Sequence, residues 1–430
     1  MSKRNRENIN DKPKKRSKAK LVITIILCIF SVIAAMIAIA AAILLGKLSQ
    51  VETVELDPDE LMINFEIEES VDFGDGYLNV AIFGVDSREG ELESGTLSDT
   101  IIIASLNNET KEVKLVSVYR DTYLNLSEGT YMKCNAAYSF GGATLAINML
   151  NTNLDLDIDK FITVDFTVIT EIVDILGGIE LEIEESEIDA INEYIAETAS
   201  VAGKEGIEFT EAGLQVVDGV QATTYARIRS TSGGDYKRTD RQRYVIEQIV
   251  DKVKTCDLAT LMDLIDEVLP QILTNFTATE IAYYAAAYMD IELGETMGWP
   301  EIITVGTVPS VGSVVIPLDL ESNVIDLHEF LFPELEYEPS STVISNSYEI
   351  YSRTSNYSSG SLNTNTAYET NSENSVTNVL LAEIEEADDE TTEDETTEDE
   401  IVDDIDVEIE AETSINYEKF NNPVLEFNDD

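Results

Sequence analysis

Residues 77–120 read YLNVAIFGVDSREGELESGTLSDTIIIASLNNETKEVKLVSVYR. Three apolar, β-branched runs of strand length stand out, at 77–86, 100–106 and 113–120. Asn107-Asn108, followed by Glu109-Thr110-Lys111, predicts a hairpin turn between the second and third. Strands running up, down and up bring Asp86, Asp99 and Arg120 out at one end of a sheet. Open α/β sheets place ligands just beyond strand ends, so this edge is the first candidate site. Taken singly, Asp86 and Asp99 also read as turn-forming or capping aspartates.

Downstream, helical and strand patterns alternate. A helix is predicted after Tyr138-Ser139-Phe140-Gly141-Gly142, over 143–154, and a strand over 161–166. Residues 167–176 carry a helical i, i+3, i+4 apolar face, and Gly177-Gly178 makes a C-cap before a strand at 179–183. Asp218 caps a helix to about Arg229, Ser232-Gly233-Gly234 turns the chain, and a second helix runs from near Asp235 to about Lys254. Residues 258–269 and 279–289 read as helices, and 301–309 and 313–316 as closing strands. The alternation predicts a layered α/β/α domain with a mixed central sheet over residues 73–337.

The chain carries a formal charge of −57 across 430 residues, yet six cationic side chains fall between Arg227 and Arg243. They are Arg227, Arg229, Lys237, Arg238, Arg241 and Arg243. Arginine suits bidentate recognition of phosphate or carboxylate. The cluster fits either a bound anion or pairing with nearby acids on a solvated helix face. Nucleic acid is a poor partner for so acidic a chain. His328 is the single histidine, and no nucleophile elbow, HExxH or CxxC occurs, which argues against a serine triad or a His/Cys zinc site. Three cysteines, Cys28, Cys134 and Cys256, are too few for a disulfide framework and are expected as free thiols.

The ends differ from the middle. Residues 21–46 hold no charge, enough for a helix across a ~30 Å hydrocarbon core. Nine cationic residues precede that run, which predicts an uncleaved single-pass type II anchor with the remainder outside the cell. Residues 1–20 read as a cytoplasmic tail and 47–72 as an extracellular stalk. Residues 338–430 are Ser/Asn/Thr-rich and then acidic, with 22 acids against one lysine over 381–430, and are expected to be disordered.

Seven segments, in order, resemble the LytR-CpsA-Psr family of bacterial cell-envelope glycopolymer transferases. They are NVAIFGVDSREGE (79–91), SDTIIIASLN (98–107), VKLVSVYRDTYLNL (113–126), KCNAAYSFGG (133–142), ITVDF (162–166), IVDILGGIELEI (172–183) and DGVQATTYARIRSTSGGDYKRTDRQRYVI (218–246). The resemblance implies transfer of a teichoic-acid- or capsule-like glycopolymer from a polyprenyl-diphosphate carrier to a peptidoglycan hydroxyl, in a Gram-positive-type envelope. It implies Mg²⁺ (or Mn²⁺) on Asp86 and Asp99. It implies diphosphate contacts from Arg88, Arg120, Arg227, Arg229, Arg238, Arg241 and Gln242. Ile162, Val164, Phe166, Ile169, Ile172 and Val173 then become candidates for a prenyl pocket, with core packing as their other reading. Phosphoryl transfer depends on positioning and charge neutralisation, so metal and arginines suffice without histidine. Arg227 or Arg229 is the candidate for stabilising the developing charge, and Asp121 or Asp235 for taking the acceptor's proton. Because i and i+2 do not share a helix face, the helix must end or distort between Arg227 and Arg229 if both reach phosphate.

Tyr119 stands where the family usually has proline, Cys134 where it usually has an apolar residue, and 197–208 looks like an insertion. The same groups also suit a non-catalytic prenyl-phosphate-binding regulator or scaffold, or a hydrolase of the diphosphate linkage.

Overall fold

The computed structural model describes residues 46–47, 51–64, 76–86, 92–229, 234–287, 290–357 and 363–364. The predicted anchor, apart from Gly46, lies outside the described residues, as do Arg88 and residues 365–430. Among the described residues no helix is long and apolar enough to cross a membrane.

The chain begins with β1 (Glu52–Thr53), β2 (Tyr77–Val85), β3 (Ser98–Asn107) and β4 (Glu112–Val118), then a hairpin of β5 (Tyr123–Ser127) and β6 (Thr130–Lys133). Helix α1 (Ala136–Leu154), β7 (Lys160–Asp165) and α2 (Phe166–Ile175) follow. A ribbon of β8 (Ile179–Ile183) and β9 (Gly213–Val217) brackets α3 (Glu185–Ala202). Next come α4 (Gly219–Arg227), α5 (Gly234–Thr255), α6 (Leu258–Glu267), β10 (Leu273–Thr274) and α7 (Ala278–Ala287). The sequence closes through β11 (Glu292–Trp299), β12 (Ile302–Val308), β13 (Gly312–Pro317), α8 (Leu320–Leu331) and α9 (Ser341–Thr354).

Seven strands form one sheet in the order β1-β10-β7-β2-β3-β4-β11. β2, β3 and β4 are antiparallel neighbours, while β2–β7 and β4–β11 are parallel, so the sheet is mixed as predicted. Alternate residues of the central strands (Phe83, Ile101, Ile103, Val116) enter one large core with Ile147 and Leu150 of α1 and Val324 and Leu327 of α8. A second core joins α2, α3, α4 and α5 to the β8–β9 ribbon through Val173, Ile191, Ala222 and Val245. The strand predicted at 179–183 is therefore real but sits in the ribbon, outside the main sheet. Phe166, predicted as strand, opens α2, because Asp165 caps that helix through Thr167 and Val168 N–H.

Two glycines shape what lies above the strand ends. Gly142 has φ 59° and breaks the run of α1, and a Cβ there would fall 2.4 Å from the Glu93 carbonyl oxygen. The 92–97 segment can thus lie directly on α1, where the Tyr138 hydroxyl donates to the Leu92 carbonyl at 2.5 Å. A Cβ on Gly219 would come 2.0 Å from the Thr170 carbonyl oxygen, so α4 starts hard against α2.

Both expected boundaries move. β1, placed in the stalk by sequence, pairs in parallel with β10 at the sheet edge. Residues 341–354, placed in the tail, form α9, which is capped by Ser340 and buries Val343 and Ile350 in the main core. Two apolar residues one helical repeat apart suffice here, because the surrounding core supplies the burial that an isolated polar helix lacks.

Candidate functional site

Asp86 follows the last residue of β2, Asp99 is the second residue of β3, and Arg120 stands two residues beyond β4. The three emerge at one end of the sheet, as the up–down–up order requires. Phe166 reaches the same end because β7 runs parallel to β2. Above them opens a cleft of about 600 Å³, lined by Asp86, Thr96, Leu97, Asp99, Arg120, Phe166, Tyr194, Glu197, Thr198, Arg227, Arg229, Arg238 and Gln242.

Asp99 is the hub. Its carboxylate accepts from Arg120 Nη1 and, at 3.4 Å, from Arg229 Nη2, and its carbonyl accepts from Arg238 Nη2 at 3.2 Å. Arg227 donates to Thr198 Oγ1 at 3.4 Å, and its guanidinium lies 5.2 Å from the Phe166 ring centroid. Gln242 is buried, lines the cleft, and its Nε2 has no hydrogen-bond partner among the described residues. A buried donor without a partner costs about 1–3 kcal/mol. Set among guanidinium groups, it marks a place for an acceptor-rich ligand.

The local sequence explains how the arginines converge. Asp218 caps α4 with a reciprocal bond to Gln221. The helix ends at Arg227, and Ile228 is extended (φ −63°, ψ 139°), which lets Arg227 and Arg229 reach one cleft despite their i, i+2 spacing. On α5, Arg238 and Gln242 are one turn apart and both line the cleft. Arg241 does not. It is buried, donating from Nε to Glu187 Oε1 at 2.8 Å and from Nη1 to the Ile228 carbonyl at 3.2 Å. Arg241 and Gln242 lie on opposite flanks of Arg238, and here only Gln242 turns to the cleft while Arg241 turns to Glu187 and the Ile228 carbonyl. Arg241 belongs to the frame, tying α5 to α3 and to the turn between Arg227 and Arg229. The other oxygen of Glu187 accepts from Glu184 N–H at 3.0 Å, within the capping box of α3.

Other expectations change as well. Asp121 does not line the cleft and pairs with Lys133 at 3.0 Å. Asp235 lies in the first turn of α5, with its side chain outside the described residues, as is all of Arg88. Of the six prenyl-pocket candidates only Phe166 lines the cleft; Ile162, Val164, Ile169 and Ile172 are half-buried, and Val173 is fully inside the second core. Nothing in the sequence singles out Tyr194, Glu197 or Thr198, and both Glu197 and Thr198 fall in its insertion-like stretch. All three form one wall of the cleft from α3. Their i, i+3, i+4 spacing shows which residues share a face but not what that face meets. Tyr119, the departure from the family's proline, packs edge-on against Tyr236 at 4.6 Å and so steadies the start of α5. His328 is buried, bonded to the Leu154 carbonyl, and takes no part in the cleft. Cys134 and Cys256 are both free, and burial pushes the Cys134 thiol far up.

The sequence profile of the LytR_cpsA_psr family matches residues 48–296. TagU of Enterococcus faecalis, named a polyisoprenyl-teichoic acid–peptidoglycan teichoic acid transferase, is 36% identical over 178 residues, covering 41% of this chain and 53% of TagU. TagT of Bacillus subtilis, named for the same activity, is 28% identical over 254 residues, covering 58% of this chain and 76% of TagT. The chain spans about half the length of the TagU relatives from E. faecalis and Halalkalibacterium halodurans. Among solved structures, a Streptococcus agalactiae protein matches with a TM-score of 0.53 at 24% identity, over 64% of this chain and 92% of that one. TagT bound to LIIa-WTA matches with a TM-score of 0.50 at 20% identity, over 64% and 96%. At these identities the solved structures establish the fold alone. The profile, which spans more than half of the sequence, shows that this chain belongs to the LytR-CpsA-Psr family.

Proposed function

We propose that this protein is a membrane-anchored phosphotransferase that moves an anionic glycopolymer from a polyprenyl-diphosphate carrier to a peptidoglycan hydroxyl. The observation that carries the reading is the convergence of Arg120, Arg227, Arg229, Arg238 and the buried Gln242 Nε2, unpartnered among the described residues, on one cleft beside Asp86 and Asp99. A diphosphate offers enough acceptor oxygens for that many donors. The names of the transferase relatives supply the substrate classes.

Two carboxylates are a sparse donor set for most metals, and among the described residues no three His, Cys, Asp or Glu side chains gather at one point. The set does fit Mg²⁺, which commonly takes one or two carboxylates and fills its remaining positions with phosphate oxygens and water. Asp86 and Asp99 would hold such an ion, and it would supply charge neutralisation on the diphosphate.

The protein's own groups do the rest. Arg120 and Arg238 orient the diphosphate. The acceptor oxygen forms a bond to the glycan-bearing phosphorus while the bond from that phosphorus to the bridging oxygen breaks, and polyprenyl phosphate leaves. Arg227 and Arg229 stabilise the negative charge that builds on the transferred phosphoryl group and the leaving oxygen. The acceptor's proton goes to Glu197, the one cleft-lining carboxylate among the described residues that is not assigned to the cation. The half-buried Ile162, Val164, Ile169 and Ile172 lead the prenyl chain away from Phe166.

The test supplies full-length protein in bilayers with Mg²⁺, a polyprenyl-diphosphate-linked glycan and peptidoglycan oligomers, beside Asp99→Ala and Arg227→Ala. Mass spectrometry reads the acceptor. A phosphodiester-linked glycan that disappears in both variants supports the transferase. Lipid binding without product from several donors supports the scaffold, and free glycan phosphate supports the hydrolase.

A further inference from the structure

Helix α6 is out of keeping with the rest of the domain. Its sequence, LATLMDLIDE, places Leu258, Leu261, Met262, Leu264 and Ile265 on one side and Asp263, Asp266 and Glu267 on the other. An amphipathic helix of this kind normally buries its apolar stripe in the core. Here none of the ten residues is buried. Leu261, Met262, Leu264 and Ile265 are half-covered, and Leu258 is 73% exposed.

Three observations say what lies nearby. Lys47, the first residue after the uncharged 21–46 run, donates to Asp266 on α6 at 2.5 Å. The chain then pairs as β1 with β10, which follows α6 after a 3-10 turn at Leu269–Gln271, so the polypeptide enters the domain along this edge. Lys252 and Lys254 occupy the last turn of α5, immediately before α6. With Lys47 they bring three of the eighteen cationic residues found beyond residue 20 to this corner. A half-covered apolar stripe flanked by lysines, joined to the foot of an apolar run, has the chemistry of a bilayer interface.

We propose that α6 is a membrane-surface helix, with Leu258 and Met262 inserted at the headgroup–acyl boundary of the outer leaflet and Lys252 and Lys254 against lipid phosphates, while Lys47 ties the incoming chain to Asp266. The proposal rests on the anchor reading above and adds a second attachment. α6 packs against α2, whose first residue, Phe166, lines the cleft. The seated helix therefore fixes the orientation of the cleft to the plane from which a lipid-linked donor must rise. The apolar stripe holds the domain down while the acidic side, with Asp263 and Glu267, faces water.

The structure offers a clean probe, because the one native tryptophan, Trp299, is fully buried. Full-length Leu258→Trp and, as a control, Val216→Trp on the β8–β9 ribbon (62% exposed in the native protein) are reconstituted in vesicles containing phosphatidylglycerol. Each is compared in ordinary and brominated lipid, after flotation to confirm retention. Emission from Leu258→Trp should be quenched at least about twofold more than that from Val216→Trp, since interfacial helices bury their apolar face at acyl depth. Retained protein with equal quenching at both sites overturns the proposal and leaves the anchor standing. Blue-shifted emission at position 258 without lipid quenching means that protein covers this face, and also overturns it. Protein lost on flotation sinks the anchor reading and this one together. Glycan transfer, assayed on the same vesicles, reports separately on the reaction.

Discussion

Asp155 and Asp99 are both carboxylates surrounded by donors, and they are built in opposite ways. Asp155 ends α1 in a left-handed conformation and is completely buried. It accepts from Asn64, from the Tyr337 hydroxyl at 2.6 Å, and from Ser340 through Oγ at 2.7 Å and N–H at 2.8 Å. Every one of those donors is neutral and the network is closed. Asp99 keeps 21% of its side chain exposed, takes guanidinium partners and borders an open cleft. A carboxylate satisfied by short neutral side chains from several elements holds a fold together. One gripped by arginines at the edge of a cavity holds charges ready for exchange. Burial together with the kind of donor separates the two roles.

Removing each centre should break different things. Asp155→Ala strands four donors in the core and should lower stability by at least about 4 kcal/mol, read by urea unfolding, with activity of the folded fraction unchanged. Arg241→Met leaves Glu187 charged and buried and should lose about 3–5 kcal/mol. The double variant Glu187→Leu/Arg241→Met should recover most of that stability yet transfer glycan poorly, since the turn between Arg227 and Arg229 loses its tether. Arg227→Ala should cut turnover by about 10²–10³, with the melting temperature nearly unchanged. A large drop in melting temperature instead would place Arg227 with Asp155 as a structural residue.

His328 sharpens the contrast through pH. Burial lowers its pKa to about 4, so the folded protein keeps it neutral where the unfolded chain, near the usual 6.5, takes up a proton. Its stabilising contribution is complete above about pH 6.5 and is lost as pH falls towards 4, amounting to about 3 kcal/mol. Denaturant titrations of His328→Gln should show a shallower fall over that window than the native protein. The smallest expected change is Tyr337→Phe, which removes one donor from Asp155 and should cost about 2 kcal/mol in the same titration.

The sheet edge was readable because β2, β3 and β4 are β-branched runs whose order alone decides which ends coincide. The arginines were readable because five of them crowd into seventeen residues against an acidic background. What escaped had no local signal. Glu292–Trp299 contains Gly294 and Gly298 and no β-branched run, so its role as the strand beside β4 comes from pairing rather than propensity. The α3 wall depends on how a helix is turned by the Glu187–Arg241 pair, a contact between residues 54 apart. Helix α9 reads as polar low complexity until the core that covers Val343 and Ile350 exists.

The Asp155 network also sets a path for force. Asn64, on the segment that leads into the domain after β1, bonds both Asp155 and, at 3.3 Å, the Ser340 hydroxyl that caps α9. The incoming and outgoing arms of the chain are therefore knotted to each other within one cluster. Tension between the segment before Asn64 and anything that grips the chain beyond α9 runs through Asn64, Asp155 and Ser340. It bypasses β2, β3 and the arginine cleft, so the domain can be pulled at both ends of its chain while the reacting groups stay in register.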